Sequence, residues 1–189
     1  MTDRQQLRQS KRQARRDLTP AQQQQAARRL ARRAIQHPLL RHTQHIALYL
    51  PNDGEVDLRP LMQQLWRLGK TCYLPVLSKI RPGHLVFRPY RPQSLMRHNR
   101  FGIAEPRAGI TRPGRALDVV LMPLVAFDRR GNRLGMGGGF YDRTFASPAH
   151  RPSLVGTAHH FQAHDALPNE PWDVPLDHIL TDQTMMRCR

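Results

Sequence analysis

Between His45 and Val76 the chain sets out a strand, a helix and a second strand in about thirty residues, and that succession restricts the fold more than any other feature. His45-Ile46-Ala47-Leu48-Tyr49-Leu50 reads as a buried strand stopped by Pro51. Asp57 is placed to cap a helix whose apolar positions Leu58, Leu61, Leu65 and Leu68 follow helical spacing, and Gly69 ends it. Thr71 to Val76 is the next strand. Such a unit demands parallel strands joined by a right-handed crossover. Asp118 to Met122 adds a continuous apolar, and therefore central, strand, followed by Ser153 to Ala158 and His178 to Thr181. The Pro- and Arg-rich stretch from Ser78 to Arg115 reads as loops and edge structure, with one short strand at His84 to Arg88. With 189 residues and 39% of them hydrophobic, the chain is sized for one domain with one core. The expectation is therefore an α/β fold, a single three-layer α/β/α domain over residues 1–189 with a mostly parallel sheet.

Residues 1–36 stand apart as a helical segment expected to pack on that domain. A first helix runs from Asp3 to Leu18 with a thin apolar line of Leu7, Ala14 and Leu18. The second starts at Thr19 as N-cap, with Pro20 in the first position and Gln22 completing a capping box. Its apolar face is Ala26, Ala27, Leu30, Ala31, Ala34 and Ile35, and His37-Pro38 stops it.

Charge narrows the partners. Lys and Arg number 30 against 14 Asp and Glu, a net +16, and all but Lys11, Lys70 and Lys79 of the cations are Arg. Arg presents a planar fork suited to phosphate and carboxylate, which favours anionic ligands, although genomic composition alone accounts for such a bias equally well. The longest apolar run, Val119 to Phe127, contains Pro123 and is far shorter than the roughly 20 residues of a membrane helix. No apolar signal core follows the basic N-terminus, and Cys72 and Cys188 form neither a disulfide framework nor a zinc pattern, so a cytoplasmic protein is expected. Cys72, flanked by strand residues, is expected to be buried and inert. Adjacent His159 and His160 point apart in a strand and suggest no metal site.

Five of the 12 glycines fall between Gly131 and Gly139, after the central strand and a turn at Asp128 to Asn132, and ahead of a helix from about Phe140. A loop of this kind leaves backbone N–H groups able to converge on an anion. Arg133 and Arg143 flank it. Neither the Walker spacing nor the dinucleotide-binding spacing is met. On the glycines alone, a phosphate cradle and a tight structural connection both stand, but each glycine costs roughly 0.5–1 kcal/mol in chain entropy relative to Ala, which favours a functional reason.

The run Gly131-Asn-Arg133-Leu134-Gly135-Met136-Gly137-Gly138-Gly139-Phe140-Tyr141-Asp142, with Pro123-Leu-Val-Ala-Phe127-Asp128 upstream, resembles the signature of the 5-formyltetrahydrofolate cyclo-ligase family. The basic first helix, Tyr49-Leu50-Pro-Asn-Asp-Gly-Glu55-Val-Asp57 and Leu167-Pro-Asn-Glu-Pro-Trp172-Asp173-Val-Pro175 agree with it in order and spacing, over nearly the whole chain. The resemblance implies a Mg²⁺- and ATP-dependent cyclisation of 5-formyltetrahydrofolate, with or without a polyglutamate tail. The formyl oxygen on N5 is phosphorylated, N10 attacks the formyl carbon, and 5,10-methenyltetrahydrofolate, ADP and phosphate result.

Residue by residue, the resemblance implies Arg133 and Tyr141 as catalytic. For ATP it implies Arg4, Arg8 and the run Arg133, Leu134, Gly135, Met136, Gly137, Gly138, Gly139, Phe140 and Tyr141. For folate it implies Leu50, Glu55, Met136, Gly137, Gly138, Gly139 and Phe140, and for Mg²⁺ Asp142 with Asp173. Arg4 and Arg8 share a helix face, although Lys11, Arg12, Arg15 and Arg16 allow the register to slip and Arg4 replaces the usual Lys. Simpler readings stand beside these. Asp142 also suits a helix first turn, Asp173 a surface turn, Glu55 an exposed loop, and Phe140 and Tyr141 the core. Two rivals remain: a nucleic-acid binder, argued from charge but opposed by only 6% aromatic residues, and a different sugar-phosphate or acyl-transfer enzyme, which would not need Glu55 with the two aspartates.

Overall fold

A computed structural model describes residues 3–149 and 151–188. In chain order the elements are α1 Asp3–Arg16, α2 Pro20–Gln36, α3 Pro38–Arg41, β1 His45–Ala47, α4 Arg59–Arg67, β2 Thr71–Leu77, β3 Leu85–Pro89, β4 Met96–His98, β5 Ala104–Pro106, β6 Val119–Pro123, β7 Ala126–Phe127, β8 Arg133–Leu134, α5 Phe140–Phe145, β9 Ser153–Ala158, β10 His178–Thr181 and β11 Met185–Arg187. Seven strands form one sheet in the order β11-β10-β9-β6-β1-β2-β3. The inner five are parallel, and the two edge strands, β3 and β11, run antiparallel to their neighbours.

The apolar run of β6 explains its central place. Val119 and Leu121 point into one core cluster with Leu30, Leu61 and Leu65 from α2 and α4. Val120 and Met122 point into the opposite cluster with Phe87, Phe127 and Phe145. Alternate residues of a strand face opposite sides, so a strand covered on both faces must be apolar throughout. The sheet therefore has helices α2, α3 and α4 on one face. The other carries α5 and irregular segments, a thinner third layer than a doubly wound fold would have.

Several elements depart from the sequence expectation. β1 is three residues long, because after Leu48, whose N–H still reaches the Tyr73 carbonyl at 2.9 Å, the chain leaves the sheet. The α4 cap is Leu58, drawn fully into the core, and Asp57 instead accepts the Arg59 N–H at 2.9 Å. Leu68 lies past the helix end and is 59% exposed, while Met62 takes its place in the core. Helix α1 ends at Arg16, and it docks by charge more than by its apolar line: Lys11 donates to the Phe161 and Ala163 carbonyls, and Arg15 is fully buried. The α2 capping box is present as expected, and Cys72 is buried, which pushes its thiol up to about 12. No helix among the described residues is long and apolar enough to cross a membrane.

Two hairpins were not expected. β4–β5 lies inside the Pro- and Arg-rich stretch, held by buried Glu105, which accepts from Arg97 at 2.6 Å and from the Leu77 N–H at 3.2 Å. β7–β8 turns at buried Asp128, whose carboxylate takes the N–H groups of Arg130, Asn132 and Leu167 at 2.9–3.0 Å. That turn launches the glycine run toward the carboxyl ends of β1 and β6. From β1 the chain moves outward through β2, and from β6 it moves outward the other way through β9 and β10. The gap between them is a topological switch point, where ligands of parallel sheets bind.

Candidate active site

Two cavities open at this switch point, and the glycine run divides them. The first, about 550 Å³, is mostly apolar. It is floored by Tyr49, Leu50 and Glu55 after β1 and Pro123 at the end of β6, and walled by Phe101 and Ile103 of the β4–β5 hairpin. Met136 to Asp142 and Arg133 close its other side. The second cavity, about 1180 Å³, is ringed by Arg4, Arg8, Arg143 and Arg151, with Asp142 and Asp173 among them and Trp172 on the rim, 69% exposed. Gly137, Gly139 and Asp142 face both cavities.

The divider is backbone held from behind. Gly139, at φ 63°, is the cap of α5, and a Cβ there would stand 2.7 Å from the Arg143 guanidinium, so only glycine fits without displacing that cation. Arg143 donates to the Gly83 carbonyl at 2.9 Å and also to the Gly138 carbonyl. Arg8 Nε donates to the Gly135 carbonyl at 2.9 Å. Arg133, nearly buried, donates to Asp142 at 2.6 Å and to the Val174 carbonyl. Asp142 Oδ1 also accepts the Val174 N–H at 3.1 Å. Arg133 and Asp142 thus join the glycine run to the segment that carries Asp173.

Asp173 Oδ2 accepts from Arg4 at 3.0 Å and from the Glu170 N–H at 2.9 Å. Arg4 Nε is buried and has no hydrogen-bond partner among the described residues. The bonds to the two aspartates fall on one oxygen of each, Asp142 Oδ1 and Asp173 Oδ2, and both residues line the cationic cavity. Among the described residues no cluster of three or more His, Cys, Asp and Glu side chains could hold a metal. Two carboxylates are enough for Mg²⁺, which keeps water and substrate phosphate as its other ligands, so Asp142 and Asp173 fit that cation.

In the apolar cavity Glu55 accepts the Asn52 N–H at 3.1 Å and stands 4.0 Å from the Arg15 guanidinium. Burial pushes its carboxyl up to about 7, against the opposing effect of the Asn52 N–H and Arg15. Tyr141 is raised by burial and by the neighbouring Glu55, so its phenol stays neutral and can donate. Phe140 packs edge-on against Phe101, ring centres 5.6 Å apart, at the cavity mouth.

The structure sorts the expected residues between the cavities. Leu50, Glu55, Met136, Gly138, Phe140, Tyr141 and Arg133 line only the apolar one. Arg4, Arg8, Gly135 and Asp173 line only the cationic one. Leu134 lines neither: β8 turns its side chain into a small core cluster with Ala126 and Leu167. Phe101, Ile103 and Trp172 were not expected, since hairpin-tip and rim residues carry no periodicity to mark them.

The chain is similar to known proteins over nearly its whole length. The model of the 5-formyltetrahydrofolate cyclo-ligase family matches residues 1–182. A protein of Escherichia coli (strain K12) named 5-formyltetrahydrofolate cyclo-ligase is 47% identical over 173 residues, covering 90% of this chain and 95% of that protein. A protein of the same name from Haemophilus influenzae is 44% identical, covering 94% and 96%. The NMR structure of Aquifex aeolicus 5,10-methenyltetrahydrofolate synthetase superposes with a TM-score of 0.86 at 29% identity, covering 100% of this chain and 94% of that one. With a family match over almost its whole length and the family's motifs gathered at one switch point, the chain belongs to the 5-formyltetrahydrofolate cyclo-ligase family and is an enzyme of the ligase class.

Proposed function

We propose that the chain converts 5-formyltetrahydrofolate to 5,10-methenyltetrahydrofolate with cleavage of ATP to ADP and phosphate, acting as one domain over residues 1–189 in the cytoplasm. One observation carries this reading: Gly137, Gly139 and Asp142 form a wall common to an apolar cavity and a cationic one. A flat heterocycle in the first and a triphosphate in the second would come into contact along the edge that these residues share.

In the apolar cavity, Glu55 accepts hydrogen bonds from the amino and ring N–H groups of the pterin, Leu50 and Phe140 cover its faces, and Met136 borders the opening. In the cationic cavity, Arg4 and Arg8 take phosphate oxygens beside the Gly135 to Gly139 backbone. The formyl oxygen forms a bond to the γ-phosphorus as the bond to ADP breaks. N10 then bonds to the formyl carbon, the carbon–oxygen bond to phosphate breaks, and the N10 proton is lost. Phosphorylation is what turns a formamide oxygen into a leaving group, and the protein's part is mostly positioning and charge stabilisation. Arg133, fixed on the divider, faces the charge that develops there, and Tyr141 supplies a neutral O–H. Asp142 and Asp173 would hold Mg²⁺, which when bound offsets phosphate charge. A hollow of about 360 Å³ beside the apolar cavity, bordered by Lys79, His84 and Arg100, suits the substrate's glutamate carboxylates, single or extended.

The test is the absorbance of the conjugated methenyl product, grown from 5-formyltetrahydrofolate with protein, ATP and Mg²⁺. Product that requires both ATP and Mg²⁺ establishes the activity. Folded protein that yields no product at neutral pH overturns it.

A further inference from the structure

Arg15 is fully buried on α1, yet it touches neither cavity's opening. One terminal nitrogen donates to Asp53 at 3.0 Å; the other reaches the Leu124 carbonyl at 3.3 Å and stands 4.0 Å from Glu55. Its Nε has no partner among the described residues. The loop it enters is fitted to it. Asp53 is held at φ 49°, a conformation that residues other than Gly, Asn and Asp rarely take. A Cβ on Gly54 would lie 2.9 Å from the Arg15 carbonyl oxygen. The Gln23 amide clamps the pair, donating to the Arg15 carbonyl at 3.2 Å and the Gly54 carbonyl at 3.1 Å.

Three cations of α1 converge here, but they divide their work. Arg12 and Arg16 bond Asp53 at 2.7 and 2.6 Å. Burial alone would raise the Asp53 carboxyl; those bonds and the charges of Arg12 and Arg15 hold it at about 2, so it remains an anion. Arg15 is the cation that also faces Glu55. The other titratable groups facing Glu55 are Tyr49 from the end of β1 and Tyr141 from α5, both raised by burial and by Glu55 and hence neutral. Glu55 is therefore bracketed by two fixed charges of opposite sign, Arg15 and Asp53.

We infer that Arg15 is a positioning residue for substrate recognition: from behind the cavity wall it holds Glu55 in place and in its ionised form, while Asp53 opposes it. This rests on the reading that Glu55 is the carboxylate that binds the pterin. The same rigid helix carries Arg4 and Arg8 to the cationic cavity, so one element sets the ligand-facing charges of both sites.

Calorimetric titration with 5-formyltetrahydrofolate, without nucleotide and from pH 5.5 to 8.5, tests it. The wild-type affinity weakens as pH falls through about 7. In Arg15→Met the midpoint moves up by about one pH unit and affinity at pH 7 falls about fivefold, because a neighbouring cation is lost. Arg15→Lys keeps the midpoint within about 0.3 unit, since the charge remains. Asp53→Asn, which tolerates the left-handed conformation, moves it down by about half a unit. ADP affinity stays within about twofold throughout, as the phosphate contacts are untouched. Shifts of the same sign, unmoved midpoints, or parallel loss of ADP binding overturn the proposal. Should Arg15→Met fail to fold, the downward shift in Asp53→Asn and the retained midpoint in Arg15→Lys decide it. Glu55→Gln separates the two readings. If the pH dependence survives in that variant, the Glu55 assignment falls and takes this one with it. If it vanishes while the Arg15 and Asp53 variants leave the midpoint unmoved, only the role of Arg15 falls.

Discussion

The two cavities lie back to back on one glycine wall, yet they are built on opposite principles. The apolar one sets Glu55 among Tyr49, Leu50, Phe140 and Tyr141, with Asp53 and Asp142 also on its lining, and burial brings the Glu55 carboxyl up to about 7. The cationic one is open, ringed by arginines, and has its aspartates tied to Arg4 and Arg133. In a mostly apolar site recognition depends on the protonation state of its buried acid; in a site ringed by charge it depends on summed charge and therefore on salt. Gly137, Gly139 and Asp142 of the divider serve both.

The strongest way to break this division is to remove the divider's support. Arg133→Ala leaves Asp142 without its cation and unties the glycine run from the Val174 segment. Turnover should fall at least about hundredfold through misplacement of both ligands, and stability by about 3 kcal/mol for a broken buried pair. Steady-state kinetics and thermal melts check it; a change confined to one ligand's KM would show that the wall belongs to one cavity only.

Next in size, Glu55→Gln should weaken 5-formyltetrahydrofolate about thirtyfold at pH 8, the worth of hydrogen bonds to a charged acceptor, with ADP binding unchanged. Stability moves the other way. The folded carboxyl lies at about 7 and the unfolded one at 4.5, so between those values the unfolded chain ionises first and the wild type loses stability as pH rises. Its full contribution is present below 4.5 and gone above 7. Urea melts should show Glu55→Gln gaining on the wild type across that window, and parallel curves would refute the placement of Glu55.

Arg8→Ala should raise the ADP dissociation constant about tenfold in dilute buffer and much less in molar salt, through screening. Folate affinity should hold within about twofold. The smallest effect is expected of Phe101→Ala. The side chain is 52% exposed at a hairpin tip but walls the apolar cavity. Folate affinity should drop about threefold with stability within ~0.5 kcal/mol, and an equal effect on ADP would blur the boundary between the two sites.

Much of this was legible in the chain. The βαβ unit, the double-faced strand β6 and the Thr19 capping box are legible because each is written in the pattern of a few consecutive residues, whatever their distant partners. The glycine run and its flanking motifs pointed to the family. The pocket wall at Phe101 and Ile103 was not legible, because its hairpin is held by Glu105, a single buried acid in a stretch rich in Pro and Arg. The burial of the Leu134 side chain was not legible either, because motif membership does not say which way a side chain points.

Sequence alone determined the parallel α/β class, the excess of positive charge and the motifs that mark the family, since periodicity and residue type act at short range. Tertiary structure alone decided that one glycine wall separates two cavities and which motif residue faces which. It also buried Arg15 against Glu55, 40 positions along the chain. Burial and the charge of distant neighbours set a group's ionisation, and only the folded chain brings them together.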